Sequence, residues 1–210
     1  MVKIAIYVEG GGPTNKTQDL IRRGFSQFFR KAVKAARSCG GSVYPVVCGG
    51  RSETYKKFCD ALINDRDVFN VLLVDSENPV AASSPPWAHL LNQPRDRWPK
   101  PKDADDSQCQ MMVVCMEAWF LADPAGLKRH YDGNFDDGKL PPANQAESRL
   151  MADITDALKK ATKTTKAGEY QKIRDGAKLL EAVDPAEVRK QCKWCDRLFQ
   201  MLSKKLGMQL

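Results

Sequence analysis

Four short apolar runs mark the N-terminal half of the chain, separated by segments whose apolar residues recur at helical spacing. Lys3–Val8 (KIAIYV), Ser42–Cys48, Asn70–Val74 (NVLLV) and Met111–Cys115 (MMVVC) read as strands. NVLLV and MMVVC are apolar throughout, the pattern of strands covered on both faces. Between the first two runs, Leu20, Ile21, Phe25, Phe28, Phe29, Ala32 and Val33 fall on one face of a 3.6-residue period. That spacing predicts a helix over Thr17–Ser38, ended by Gly40-Gly41. A second helix is expected from Ser52, as its cap, to Asn64. Strand–helix–strand–helix–strand order implies a parallel sheet with helices on both faces.

Two stretches depart from this alternation. Ser76–Gln110 contains Pro79, Pro85, Pro86, Pro94, Pro99 and Pro101, too many for one regular element, with a helical turn expected at Ala88–Leu91. Gly133–Asn144 is a second irregular connection. The remainder reads as helices over Glu147–Ala161, Tyr170–Val183 and Pro185–Leu206, the last with Asp184 as N-cap and Pro185 at its first position. The expected fold is therefore α/β: a parallel sheet of about four strands with helices on both faces, plus a helical C-terminal extension. The 210 residues fit a single domain, with residues 1–132 as the α/β core and 145–210 packed on it.

Composition narrows the setting. No apolar run approaches the roughly 20 residues of a membrane span, and the N-terminus lacks the pattern of a secretion signal. Seven cysteines, odd in number and mostly within apolar runs, suit a reducing compartment; a cytoplasmic protein with no membrane association is expected. From Lys159 to Leu210 thirteen Lys/Arg face six Asp/Glu, an excess equal to the whole net charge of +7. A second basic run, Arg22 to Arg37, has no acid between Asp19 and Glu53. Clustered cations attract polyphosphates, so nucleic acid is the expected partner, against the alternative of solvated helix faces.

The candidate chemistry lies at the strand ends. In an open parallel sheet the functional crevice forms at the carboxyl ends of the strands. Three of the four expected strands end in acids: Glu9 after the first, Asp75 and Glu77 after the third (VLLVDSENP), and Glu117 after the fourth (VVCMEAWF). Two carboxylates ~4 Å apart repel by up to ~4 kcal/mol at an effective dielectric of ~20. A divalent cation removes that penalty, and oxygen ligands suit Mg²⁺ or Mn²⁺. Glu9, Asp75 and Glu77 are the expected metal ligands, with Glu117 beside them in the catalytic set. Gly10 and Gly11 would form a tight turn leaving room for a phosphate backbone, with Lys16, Lys172 and Arg174 as further substrate contacts.

A nucleotide-binding loop is the competing reading of VEGGGPTNKT: Lys16-Thr17 could close a Walker A loop and Val71–Asp75 could serve as Walker B. Asn15 stands where that loop needs glycine, and Glu9 and Glu117 have no part in it. Cys192-x-x-Cys195 reads as core packing rather than half a zinc site, since no second pair or nearby histidine completes it. Trp119 reads as core, with stacking on a base as the sharper alternative.

Strand-VEGG-helix, LLVDSENPV, PPWAHL, RDRW, MMVVCMEAWFLADPAGL and EYQKIRDGAKLLEAVDPAEV together resemble a prokaryotic Toprim-like family catalogued as a domain of unknown function, DUF4276, itself similar to RloB-type and OLD-type nucleases of phage defence. The resemblance spans nearly the whole chain. It implies a Toprim-like fold and Mg²⁺ bound by a glutamate after the first strand and an Asp-x-Asp after a later one. Glu9 matches the glutamate and Asp75 the first aspartate, while Glu77 replaces the second with a ligand one methylene longer. It further implies a metal-dependent nuclease or related phosphoryl-transfer enzyme. The alternatives are a non-catalytic nucleic-acid-binding or partner module working with an ATPase encoded nearby, or a P-loop-like nucleotide binder. A homo-oligomer is compatible with each.

Overall fold

A computed structural model describes residues 1–210 except Pro13 and Asp132. The chain runs β1 (Lys3–Val8), α1 (Asn15–Phe28), α2 (Arg30–Ser38), β2 (Ser42–Val47), α3 (Arg51–Asn64), β3 (Phe69–Asp75), α4 (Pro86–Asn92) and β4 (Cys109–Met112). It continues with α5 (Met116–Leu121), α6 (Pro124–Tyr131), α7 (Met151–Thr162), α8 (Lys172–Ala182), α9 (Pro185–Gln191) and α10 (Lys193–Leu206).

The four strands form one all-parallel sheet in the order β2-β1-β3-β4. Val8 pairs with Val47 on one side and Leu73 on the other, and Asp75 pairs with Met112. The β1–β2 and β2–β3 crossovers run in opposite directions along the sheet. Right-handed connections therefore put α1 and α2 on one face and α3 on the other. This α/β sheet with a helical C-terminal region is the expected architecture, and it is consistent with a Toprim-like fold.

Aromatic residues fill both interfaces. Phe58 of α3 meets Tyr7 edge-on and packs near Trp87, while Phe28 stacks on Trp119 with centroids 4.7 Å apart and contacts Phe199. Trp119 is wholly buried, so it belongs to the core and the base-stacking alternative falls away. Cys192 and Cys195 are likewise fully buried, in keeping with their reading as core residues.

Several boundaries differ from expectation, each for a local reason. The helix expected over Thr17–Ser38 breaks at Phe29. Neighbouring residues point about 100° apart on a continuous helix, and the break lets Phe28 and Phe29 both reach the core. The expected Pro185–Leu206 helix breaks at Cys192, where the Glu147 carboxylate accepts from Lys193 N at 2.9 Å and Trp194 N at 3.1 Å. Glu147 thereby caps α10 from outside and sits in a 3₁₀ turn, Ala143–Ser148, instead of opening α7. Gly50 rather than Ser52 caps α3. The fourth strand, Cys109–Met112, starts two residues before MMVVC and ends three residues before its end. The chain beyond it still runs beside the segment after β3, with Ser76 N bonded to Met112 O and Glu77 N to Val114 O. A run buried on all sides carries no periodicity from which to fix its ends.

The helical part is keyed to the sheet where α8 lies along α1. At Gly24 an added Cβ would stand 2.8 Å from the Ala177 carbonyl oxygen and 3.1 Å from Leu180 Cβ. Gly24→Val must therefore force α1 and α8 apart. We expect a loss of about 3 kcal/mol, seen as a melting temperature lower by roughly 6–12 °C. An unchanged melting curve would show that the helices can separate at no cost.

Candidate active site

Between β1 and β3 the outgoing connections leave in opposite directions, one to β2 and one to β4. Such a switch point opens a crevice at the carboxyl ends of the two strands. Glu9 is the residue after β1 and Asp75 the last of β3, so the two acids flank it. The crevice is a cavity of about 380 Å³. Glu9, Asp75 and Lys172 line it together with the Gly10–Gly12 loop, Thr17 and several apolar side chains.

The loop requires glycine. Gly10, Gly11 and Gly12 have φ of 131°, 86° and 58°, in the region that side chains disfavour. A Cβ on Gly11 would also meet Gln18 Cα at 2.8 Å. Gly10 N donates to Gly49 O at 2.9 Å, tying this loop to the one after β2, and Thr14 caps α1 by accepting from Thr17 N. The Thr17 hydroxyl bonds to the Gly11 and Thr14 carbonyls. Lys16 is exposed and does not line the cavity. Loop and helix thus form a turn beside the acids and lack the lysine-closed phosphate cradle of a Walker loop.

Two cations hold the acids. Arg51, first residue of α3, is almost wholly buried. Its guanidinium donates to Glu9 Oε2 at 3.1 Å and to the Asp75 carbonyl at 2.5 Å, and its Nη1 lies 3.9 Å from Glu77 Oε1. Asp96 accepts from its Nε at 2.8 Å, and the group lies over the Trp98 ring. Trp98 in turn stacks on Tyr55 with centroids 4.5 Å apart. The Pro-rich 76–110 segment is thus fastened to the sheet edge through Asp96 and Trp98.

On the other side Lys172 Nζ, half-exposed, lies 3.4 Å from Glu117 and 3.9 Å from Asp75 Oδ2. The buried Tyr170 hydroxyl donates to Glu117 Oε1 at 3.0 Å, and Met116 N donates to Asp75 Oδ1 at 2.9 Å. Lys172 also separates the main cavity from a second one of about 350 Å³ bounded by Glu117, Tyr170 and Lys159.

The protonation balance reflects incomplete compensation. Burial lifts the Asp75 pKa well above the ordinary carboxylate range; Lys172 opposes the shift while Glu9, Glu117 and Glu77 add to it. Burial also raises Glu9, opposed chiefly by Arg51 and reinforced by Glu77. For Arg51, burial disfavours the charge, but the hydrogen bond to Asp96 and the charges of Glu9, Asp96 and Glu77 outweigh it, leaving its pKa raised.

Of the residues expected at the site, Glu9, Asp75, Gly10, Gly11 and Lys172 line one cavity, and Glu117 adjoins it behind Lys172. Glu77 is turned aside toward Arg51 and Arg95 at a backbone φ of 65°. Arg174 is exposed and paired with Asp175. Sequence reasoning passed over Arg51, Asp96 and the bond from Tyr170 to Glu117. A signal existed for Arg51, which follows Gly49-Gly50 at the end of β2 much as Gly10-Gly11 follow Glu9 at the end of β1.

Among the described residues no three His, Cys, Asp or Glu side chains form a ready ligand group. Glu9 and Asp75 nonetheless suit Mg²⁺ or Mn²⁺: these ions are commonly held by one or two carboxylates, with waters and substrate phosphates completing the shell. Asp75, buried, and Glu9, partly buried, both have raised pKa values and so stand to gain from a cation.

The fold and crevice define an α/β protein with an acidic site at the switch point of a parallel sheet. The chain belongs to the family described as Domain of unknown function (DUF4276), whose model matches residues 8–203. No curated protein and no solved structure matches it. Among the described residues no helix is long and apolar enough to cross a membrane.

The raised pKa of Asp75 fixes the sign of a pH effect. The folded state holds the Asp75 proton more tightly than the unfolded state, so stability falls as pH rises from the usual aspartate value through the folded one. Asp75→Asn keeps the acceptor for Met116 N and removes that loss. With chelator present, the variant should melt a few degrees higher than wild type at pH 7.5, about 2–4 °C per kcal/mol, and the gain should vanish near pH 4. A variant less stable at both pH values would show that the Lys172 contact outweighs burial.

Proposed function

We propose that this protein is a metal-dependent phosphoryl-transfer enzyme, a nuclease acting on DNA or RNA, with its centre at Glu9 and Asp75. The observation that carries this reading is the pairing of the buried Asp75 with the partly buried Glu9 across the switch point, lining one cavity beside a glycine turn and the N-terminus of the 14-residue α1. A purely structural sheet edge gains nothing from burying like charges together. The glutamate after β1 and the acidic pair after β3 follow the Toprim pattern, which supports a relation to RloB-type and OLD-type nucleases and a role in prokaryotic phage defence.

In this reading Glu9 and Asp75 would hold Mg²⁺ or Mn²⁺, with Glu77 as a further ligand if it swings from Arg51. A cation so held would neutralise charge building on a phosphodiester and favour a nucleophilic water. Arg51 fixes the Glu9 carboxylate. Lys172, half-exposed at the cavity wall, can meet substrate phosphate, with Gly10 and Gly11 giving the backbone room to approach. Lys16 and Arg174 belong to the outer approach of the strand. Tyr170 and Lys172 keep Glu117 in place beside Asp75.

A second reading has one observation in its favour: Arg51 and Lys172 already supply two positive charges to the four acids. The protein would then be a non-catalytic nucleic-acid-binding or partner module, working with an ATPase or as a homo-oligomer.

A cleavage assay separates the two. Single- and double-stranded DNA and RNA are incubated with Mg²⁺, Mn²⁺ or chelator, beside a melting curve for each protein. The enzyme reading expects metal-dependent cleavage that drops by about 10³-fold or more in Asp75→Asn, several kcal/mol of transition-state stabilisation at tenfold per ~1.4 kcal/mol, while the fold survives. Equal cleavage by wild type and variant would exclude this centre. Absence of cleavage with metal-independent binding would favour the module.

A further inference from the structure

The cavity that holds Glu9 and Asp75 is mostly apolar away from those acids, which the chemistry of a phosphodiester alone does not require. Met112 and Met116 line its inner wall, Ile21 and Ala177 continue it, and Leu20 and Ile173 stand at its mouth. Ile173 is 82% exposed and Leu20 39%, two of the few large apolar side chains left open to solvent. They come from different helices, α8 and α1, and border the same opening. Isolated exposed apolar residues need no explanation. Two of them lining the same acidic cavity, from two different helices, suit a ligand with a flat apolar part joined to an anionic part.

The size of the space limits that ligand. A cavity of about 380 Å³ lies at the small end of the range that encloses one small molecule. In a duplex the base faces are stacked and unavailable, and presenting one requires unpairing and unstacking it first. A base in a single strand exposes its faces already and can lie against aliphatic or sulfur-bearing side chains.

We propose that this cavity accepts one unstacked nucleotide of a single-stranded nucleic acid. Its base lies against Met112, Met116 and the Leu20–Ile173 lip, and its phosphate lies toward Glu9, Asp75 and the glycine turn. The assignment deepens the phosphoryl-transfer reading of the same site and rests on it for the role of the acids. The apolar lip sets the choice of single strand over duplex.

The test is fluorescence anisotropy with Ca²⁺ in place of Mg²⁺ or Mn²⁺, so that an oxygen-ligated cation still screens the phosphate from Glu9 and Asp75, and a gel checks that the labelled strand stays intact. Labelled single-stranded DNA and RNA are compared with the duplex of the same sequence, for wild type, Ile173→Ser and Leu20→Ser. Both substitutions are neutral, so attraction to phosphate is unchanged, and both sites are exposed enough for folding to persist, which a melting curve checks. The single strand should bind about tenfold or more tighter than duplex, and each variant should weaken single-strand binding by roughly three- to tenfold with duplex binding unaltered. Equal or tighter duplex binding, or variants that bind the single strand as wild type does, would overturn the proposal. So would a free mononucleotide that competes as well as the strand, which would assign the pocket to a small nucleotide. Single-strand binding with the lip effect but no cleavage under Mg²⁺ or Mn²⁺ would sink the enzyme reading alone. Cleavage with a preference for duplex would sink the pocket assignment alone.

Discussion

Four carboxylates gathered at one edge of a sheet would drive that edge apart, and the local architecture is arranged around holding them. Arg51 does most of this from the inside. Its guanidinium is buried, donates to Glu9 and Asp96, and reaches Glu77. A buried cation left without one of these partners would cost several kcal/mol, as would the acids without it. The hub therefore works as a unit: Glu9 at the sheet edge, α3 behind it and the Pro-rich segment over it are fixed together. Lys172 supplies the outer charge, but it is half-exposed and can move.

This asymmetry assigns different parts to the two cations. Arg51 is enclosed and forked, suited to holding geometry. Lys172 is a flexible point charge between Asp75 and Glu117, on the wall shared by two cavities. Its position depends on α8, which is drawn against α1 at Gly24. The C-terminal helices are thus part of the site, since α8 brings both Lys172 and Ile173 to the cavity that β1 and β3 open.

The sheet was readable from sequence because its strands are short apolar runs set off by glycine and by helical periodicity. Glu9, Asp75 and Glu117 were readable as acids placed just after such runs. What stayed hidden depends on contacts distant in sequence. Arg51 meets Asp96 only through the fold, and Glu147 caps α10 across 46 residues. Breaks at Phe29 and Cys192 arise because adjacent side chains compete for the core or an outside carboxylate starts a new helix, and periodicity alone records neither. Tyr170 looked like the start of a basic helix, yet it lies just before α8 and reaches inward to Glu117. The orientation of Glu77 away from the cavity likewise follows from two arginines that no local pattern links to it.

The proposed function requires Glu9 and Asp75 to hold a divalent cation between β1 and β3. Isothermal titration of Mn²⁺ into the purified full chain, with electron paramagnetic resonance of free Mn²⁺ as a second readout, tests it without assuming a substrate. Wild type should bind Mn²⁺, and binding should be abolished in both Glu9→Gln and Asp75→Asn, with melting curves showing each variant folded. Mn²⁺ bound equally well by all three proteins, or by none of them, would contradict it.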